Sequence, residues 1–178
     1  MSRLILLIGS FFMSVHYIIL IGHTAYMTKI DLFKISEIEL TYKRKVRASD
    51  RPKVSCSKDG YELFRENWDD MTINLQEEFK LMLLDRNNHC MGIIPISKGG
   101  VSGTFVDPKL VFASALKARS CSLILGHNHP SGNISPSEAD KRLTEKLVQG
   151  GEYLDLPILD HIIITDETYA SFADLGLM

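Results

Sequence analysis

From residue 75 onward, short apolar runs alternate with amphipathic stretches, and turn residues separate them. EFKLMLL, at 78–84, is strand-like. DRNNH reads as a hairpin turn, and CMGIIPIS returns as the next strand. KGGVSG is a flexible loop. Asp107 and Pro108 then supply an N-cap and a first helical residue. The predicted helix runs through KLVFASALKAR, with Leu110, Val111, Ala115 and Leu116 facing inward. CSLILGH reads as a buried strand. Ser135, Pro136 and Glu138 have the order of a cap, a first-turn proline and a capping-box glutamate. They predict a helix over about 136–148 that stops at Gly150 and Gly151. LPILDHIIIT is the last strong strand, and DETYASFADLG a short closing helix. Upstream, Ile38, Leu40 and Tyr42 alternate with Glu37, Glu39 and Thr41, which predicts a half-exposed strand within 35–46. RASDRPKVS is a linker, and Tyr61, Leu63, Phe64 and Trp68 recur at helical spacing. Helices, hairpins and strands in this order imply an α+β fold, a mixed β-sheet flanked by helices.

The N-terminus follows a different pattern. Residues 4–22 are 19 positions without a formal charge, which meets the length of a membrane span. Arg3 alone makes a poor signal-peptide n-region, and GHTAYM a poor cleavage site. Residues 1–26 are therefore either a membrane segment or an extension ahead of the true start at Met27. The chain divides into this hydrophobic extension, a strand and helix region at 27–74, and a main domain at 75–178. The expected location is cytoplasmic, or membrane-anchored if 4–22 is a true span.

Composition narrows the partners. The chain has 178 residues, 45% hydrophobic and 24% charged, which suits one globular domain with a core of its own. A net charge of -2 gives no global attraction to nucleic acid. One basic run, Lys43, Arg44, Lys45, Arg47, Arg51 and Lys53, reads as a solvated strand face or as a phosphate-contacting patch. The 3 cysteines, Cys56, Cys90 and Cys121, lack metal-type spacing and fit a reducing compartment.

The chemistry concentrates in LILGHNHPSGNISPSEAD. Strand residues i and i+2 share a face, so His127 and His129 project together from the end of the strand. Pro130 ends the strand, and Gly132 lets the chain turn. Ser137 and Asp140 then share a face of the next helix. Two imidazoles and a carboxylate form a three-ligand set that leaves a fourth position for water, the arrangement of a catalytic zinc site. The same set can hold iron. The plainer reading is a pair of packed or hydrogen-bonded histidines. Asn128 points away from the ligand face by parity. His161 is expected to make a structural hydrogen bond, His89 to be exposed in its turn, and Trp68 and the other aromatics to fill the core.

HNHPSGNISPSEAD also resembles the JAMM (MPN+/JAB) metalloprotease motif. HNHPSG, LLDRNNH and LDHIIIT resemble its RadC branch, over about 75–178. The resemblance implies a JAB/MPN, cytidine-deaminase-like architecture with one Zn2+ per chain on His127, His129 and Asp140. It implies Ser137 as an oxyanion donor and a glutamate from an earlier strand as proton shuttle. Glu77, two before Phe79, fits that pattern, and Glu78 is the alternative. The implied activity is hydrolysis of amide or isopeptide bonds in a peptide or protein substrate. RadC resemblance also carries an association with DNA repair and mobile elements, in which residues 43–53 would touch nucleic acid. The helix-hairpin-helix region of full-length members is not expected in 27–74, which is short and strand-like. An inactive scaffold is the third reading, and the complete ligand set opposes it.

Overall fold

A computed structural model describes residues 46–100 and 103–178. The apolar stretch at 4–22 lies outside the described residues, as does the expected strand apart from Val46. Among the described residues no helix is long and apolar enough to cross a membrane.

A five-stranded sheet carries the domain, in the order β2-β1-β3-β4-β5. β1 is Glu78–Leu84, β2 Cys90–Lys98, β3 Ser122–Asn128, β4 Ile158–Ile164 and β5 Tyr169–Ser171. β1 lies antiparallel to both β2 and β3, β3 parallel to β4, and β4 antiparallel to β5. The parallel pair needs a crossover, which α3 (Glu138–Tyr153) provides. β1 and β3 are buried along their whole length, which explains why they read as unbroken apolar runs.

The two faces have separate cores. α1 (Ser57–Glu66) covers one face, where Phe64, Trp68 and Ile73 pack on Met82, Leu84, Ile124 and Ile162. Gly126 makes this approach possible, because a Cβ there would stand 2.8 Å from the Phe64 ring. α2 (Pro108–Ala118) and α3 cover the other face, where Val111, Ala115 and Leu147 meet Phe79, Leu81, Leu123 and Leu125. The metal-type histidines open from this second face.

Several expectations are corrected. In α2 only Val111 and Ala115 are buried, while Leu110 and Leu116 are 54% and 52% exposed. The helix touches the sheet along a stripe narrower than the four positions span. α3 is capped by Ser137, not Ser135. Its capping box closes on Asp140, whose carboxylate takes the Ser137 N–H. The helix also runs through Gly150 and Gly151. Gly150 gives room to the Phe112 ring and Gly151 to the Leu156 carbonyl, so here glycine serves packing. The chain leaves the helix through Asp155, at φ 52. The closing segment is no helix. Tyr169–Ser171 pairs with β4, and Asp160 anchors it by accepting from Ser171 Oγ and the Ala173 N–H. Phe105 and Tyr153, expected in the core, are exposed in the loop before α2 and at the end of α3.

Candidate metal centre

His127 sits at the C-terminal end of β3 on the face shared with Leu123 and Leu125. His129 lies just past the strand and stays aligned because its N–H donates to Ile164 O at 3.0 Å. The turn back begins at once, where the Gly132 N–H donates to His129 O and Gly132 takes φ +76. The capping box then sets Asp140 in the first turn of α3. His127 Nε2 and His129 Nε2 stand 2.9 Å apart. Asp140 lies 3.4 Å from the first and 3.7 Å from the second. Two ligands of a tetrahedral zinc ion at ordinary bond lengths stand about 3.3 Å apart, so the three donors match in number, type and spacing. His127, His129 and Asp140 are the group of side chains among the described residues placed to hold a metal ion.

Burial pushes His127 down to a pKa of about 4, so it is neutral at neutral pH. The neighbouring Asp140 carboxylate raises His129 against the effect of burial. Burial would raise Asp140 too, but His129, His127 and the two donors of Ser137 hold it well below the usual carboxylate range. Ser137 commits both its N–H, at 2.7 Å, and its hydroxyl, at 2.6 Å, to Asp140 Oδ2. The Asp140 Oδ1 atom faces His127.

β1 separates the two candidate glutamates. Glu77 lines a cavity of ≈ 290 Å³ together with His127, His129, Asp140 and Ser137. Burial pushes the Glu77 carboxyl up, partly offset by His129 and by an N–H from Thr104. Glu78 points to the other face, where it meets Lys98 at 3.0 Å and Lys80 at 3.6 Å. Burial would raise it, but those lysines and the Thr72 hydroxyl bring it below its ordinary value.

Asn128 turns away from the ligands, as parity requires, and is fully buried. Its Oδ1 accepts the Glu78 N–H at 2.7 Å, and its Nδ2 donates to Ile73 O and Gln76 O at 2.6 and 2.9 Å. It thereby ties the segment that delivers Glu77 to the strand that delivers the histidines. Asn128→Ala leaves these main-chain groups unpaired and is expected to destabilise the fold by about 2–4 kcal/mol in urea unfolding. A loss below about 0.5 kcal/mol would contradict that role.

The residues that support the ligands were harder to see in sequence. His161 is wholly buried, 2.8 Å from His127 Nδ1, and Thr144 is 2.6 Å from the other His161 nitrogen. His161 thus makes the expected hydrogen bond, and its partner is one of the candidate ligands. The signal for Thr144 was its place four residues after Asp140, on the same helix face. His89 is only half-exposed, because it bonds Asp85 at its turn. In the basic run, Arg51 pairs with Asp85, Arg47 and Lys53 are exposed, and 43–45 lie outside the described residues. All three cysteines are free.

The sequence has known counterparts. The sequence matches the RadC-like JAB domain over residues 54–177, and the chain belongs to that family. A UPF0758 protein of Flavobacterium johnsoniae is 42% identical over 137 residues, 75% of this chain and 58% of the relative. One from Methanosarcina mazei is 43% identical over 126 residues, 71% of this chain and 54% of the relative. One from Desulfitobacterium hafniense is 36% identical over 128 residues, 72% and 55% of the two chains. The chain thus spans a little over half the length of these curated relatives.

Proposed function

We propose that this chain is a zinc-dependent hydrolase that cleaves amide or isopeptide bonds in a peptide or protein substrate. The observation that carries the reading is the convergence of two imidazole nitrogens and a carboxylate in a cavity that also holds Glu77. Zn2+ on His127, His129 and Asp140, one per chain, would supply Lewis acidity and lower the pKa of water.

The chain's own residues do the rest. Glu77, raised by burial, is suited to take a proton from the attacking water and pass it to the leaving nitrogen. Ser137 donates its hydroxyl to the oxygen on which charge develops. To do so it rotates away from Asp140 Oδ2, while the Ser137 N–H keeps Asp140 in place. A cavity of ≈ 290 Å³ holds the atoms around one bond, not a folded partner. The free cysteines support a reducing compartment, the cytoplasm.

The test is metal removal on a panel of peptide- and isopeptide-linked substrates. Dialysis against a chelator should abolish cleavage, and stoichiometric Zn2+ should restore it. Cleavage that survives complete metal removal would overturn the proposal.

A further inference from the structure

We infer that Thr144 and His161 form a directional hydrogen-bond relay that fixes the tautomer of His127 and presents its Nε2 lone pair to the metal. The inference rests on reading His127 as a metal ligand. The direction follows from counting protons. Thr144 Oγ1 lies 2.7 Å from the main-chain oxygen of Asp140. A carbonyl only accepts, so the one hydroxyl proton of Thr144 goes there. Toward His161 Nδ1, at 2.6 Å, the same oxygen must accept, so Nδ1 carries the His161 proton.

His161 has no second proton to give. Its ring stacks on Phe172 at 4.7 Å between centroids and meets the edge of Phe79 at 5.6 Å. It is wholly buried, and its two ring nitrogens face Thr144 Oγ1 and the His127 ring rather than a carboxylate, so a second proton would leave a buried charge without a counter-ion. His161 Nε2 is therefore a lone pair, and His127 Nδ1, 2.8 Å away, must donate to it. A His127 that binds a metal through Nε2 carries no proton there, so with Nδ1–H given to His161 the ring holds its one proton and Nε2 is the free lone pair.

His129 is oriented by a separate contact. Its Nδ1 lies 2.6 Å from the carbonyl of Asn133 and must carry a proton, which leaves Nε2 for the ligand face. Asp140 serves twice. Its carboxylate faces both histidines, and its main-chain oxygen ends the relay that orients one of them. α3 thereby links two of the three ligands. Thr144 and His161 are positioning residues and do not themselves touch the metal position.

The test compares wild type, Thr144→Val and Thr144→Ser in the full chain. Two readouts are Zn2+ affinity by chelator competition and the side-chain 15N shifts of His127 in metal-free protein at neutral pH. Valine keeps the shape but removes the acceptor, so His161 Nδ1–H loses its partner and the His161 proton moves to Nε2. His127 should then shift toward the Nε2–H tautomer, and Zn2+ affinity should fall roughly 10- to 100-fold. Serine restores the hydroxyl and should restore the wild-type tautomer and affinity. The relay is overturned if wild-type His127 carries its proton on Nε2. It is also overturned if the valine variant keeps the wild-type tautomer and affinity. A wild type that takes up no Zn2+ overturns the metal reading separately, and the tautomer then decides the relay alone.

Discussion

Glu77→Gln is expected to keep its metal and lose hydrolysis by about 10²- to 10⁴-fold. Glutamine fills the same space and still accepts the Thr104 N–H, so the cavity wall is preserved. What disappears is the group able to take a proton and return it. Glu78→Gln is the matched control. It disturbs the contacts with Lys98 and with the buried Lys80 on the far face, and should lower stability while leaving turnover close to wild type. Metal content, urea stability and initial rates on one cleaved substrate separate the two variants. Loss of turnover in Glu78→Gln alone would place the proton shuttle on the wrong carboxylate.

Local spacing carried much of this site. His127 and His129 share a strand face, and Ser137 and Asp140 share a helix turn, because both relations follow from backbone periods. β1, β2 and β3 were equally legible, as apolar runs too short for helices and closed by turn residues. What failed depended on distant contacts. Nothing local in TYASFA announces that Ser171 and Ala173 will bond Asp160, and without those bonds the segment suits a helix. Gly150 and Gly151 resemble a helix stop until Phe112 and Leu156 are seen against them. The cap of α3 moved from Ser135 to Ser137 because two capping boxes overlap in SPSEAD, one ending on Glu138 and one on Asp140. The Thr144–His161 relay joins a helix to a strand through a third residue, and no spacing rule reaches that far.

The second large effect concerns the ligands. With three protein donors, loss of one leaves an incomplete set for a divalent ion. His127→Ala removes a neutral donor and strands His161 Nε2 in an apolar setting without the N–H it accepted. Asp140→Ala removes the negative charge of the site and also opens the capping box, at about 1 kcal/mol of helix stability. Asp140→Asn separates these effects, because it removes the charge and keeps an oxygen for the Ser137 donors. All three variants should bind Zn2+ at least about 100-fold more weakly than wild type, with Asp140→Asn remaining folded.

The most direct measurement is elemental analysis of the purified chain, wild type beside His127→Ala and Asp140→Asn, after dialysis with a weak chelator. The expected result is about one zinc per wild-type chain and less than roughly a tenth of that in each variant. Full metal retention in both variants, or a wild type that holds no metal when supplied with it, would contradict the assignment of His127, His129 and Asp140 as the metal centre.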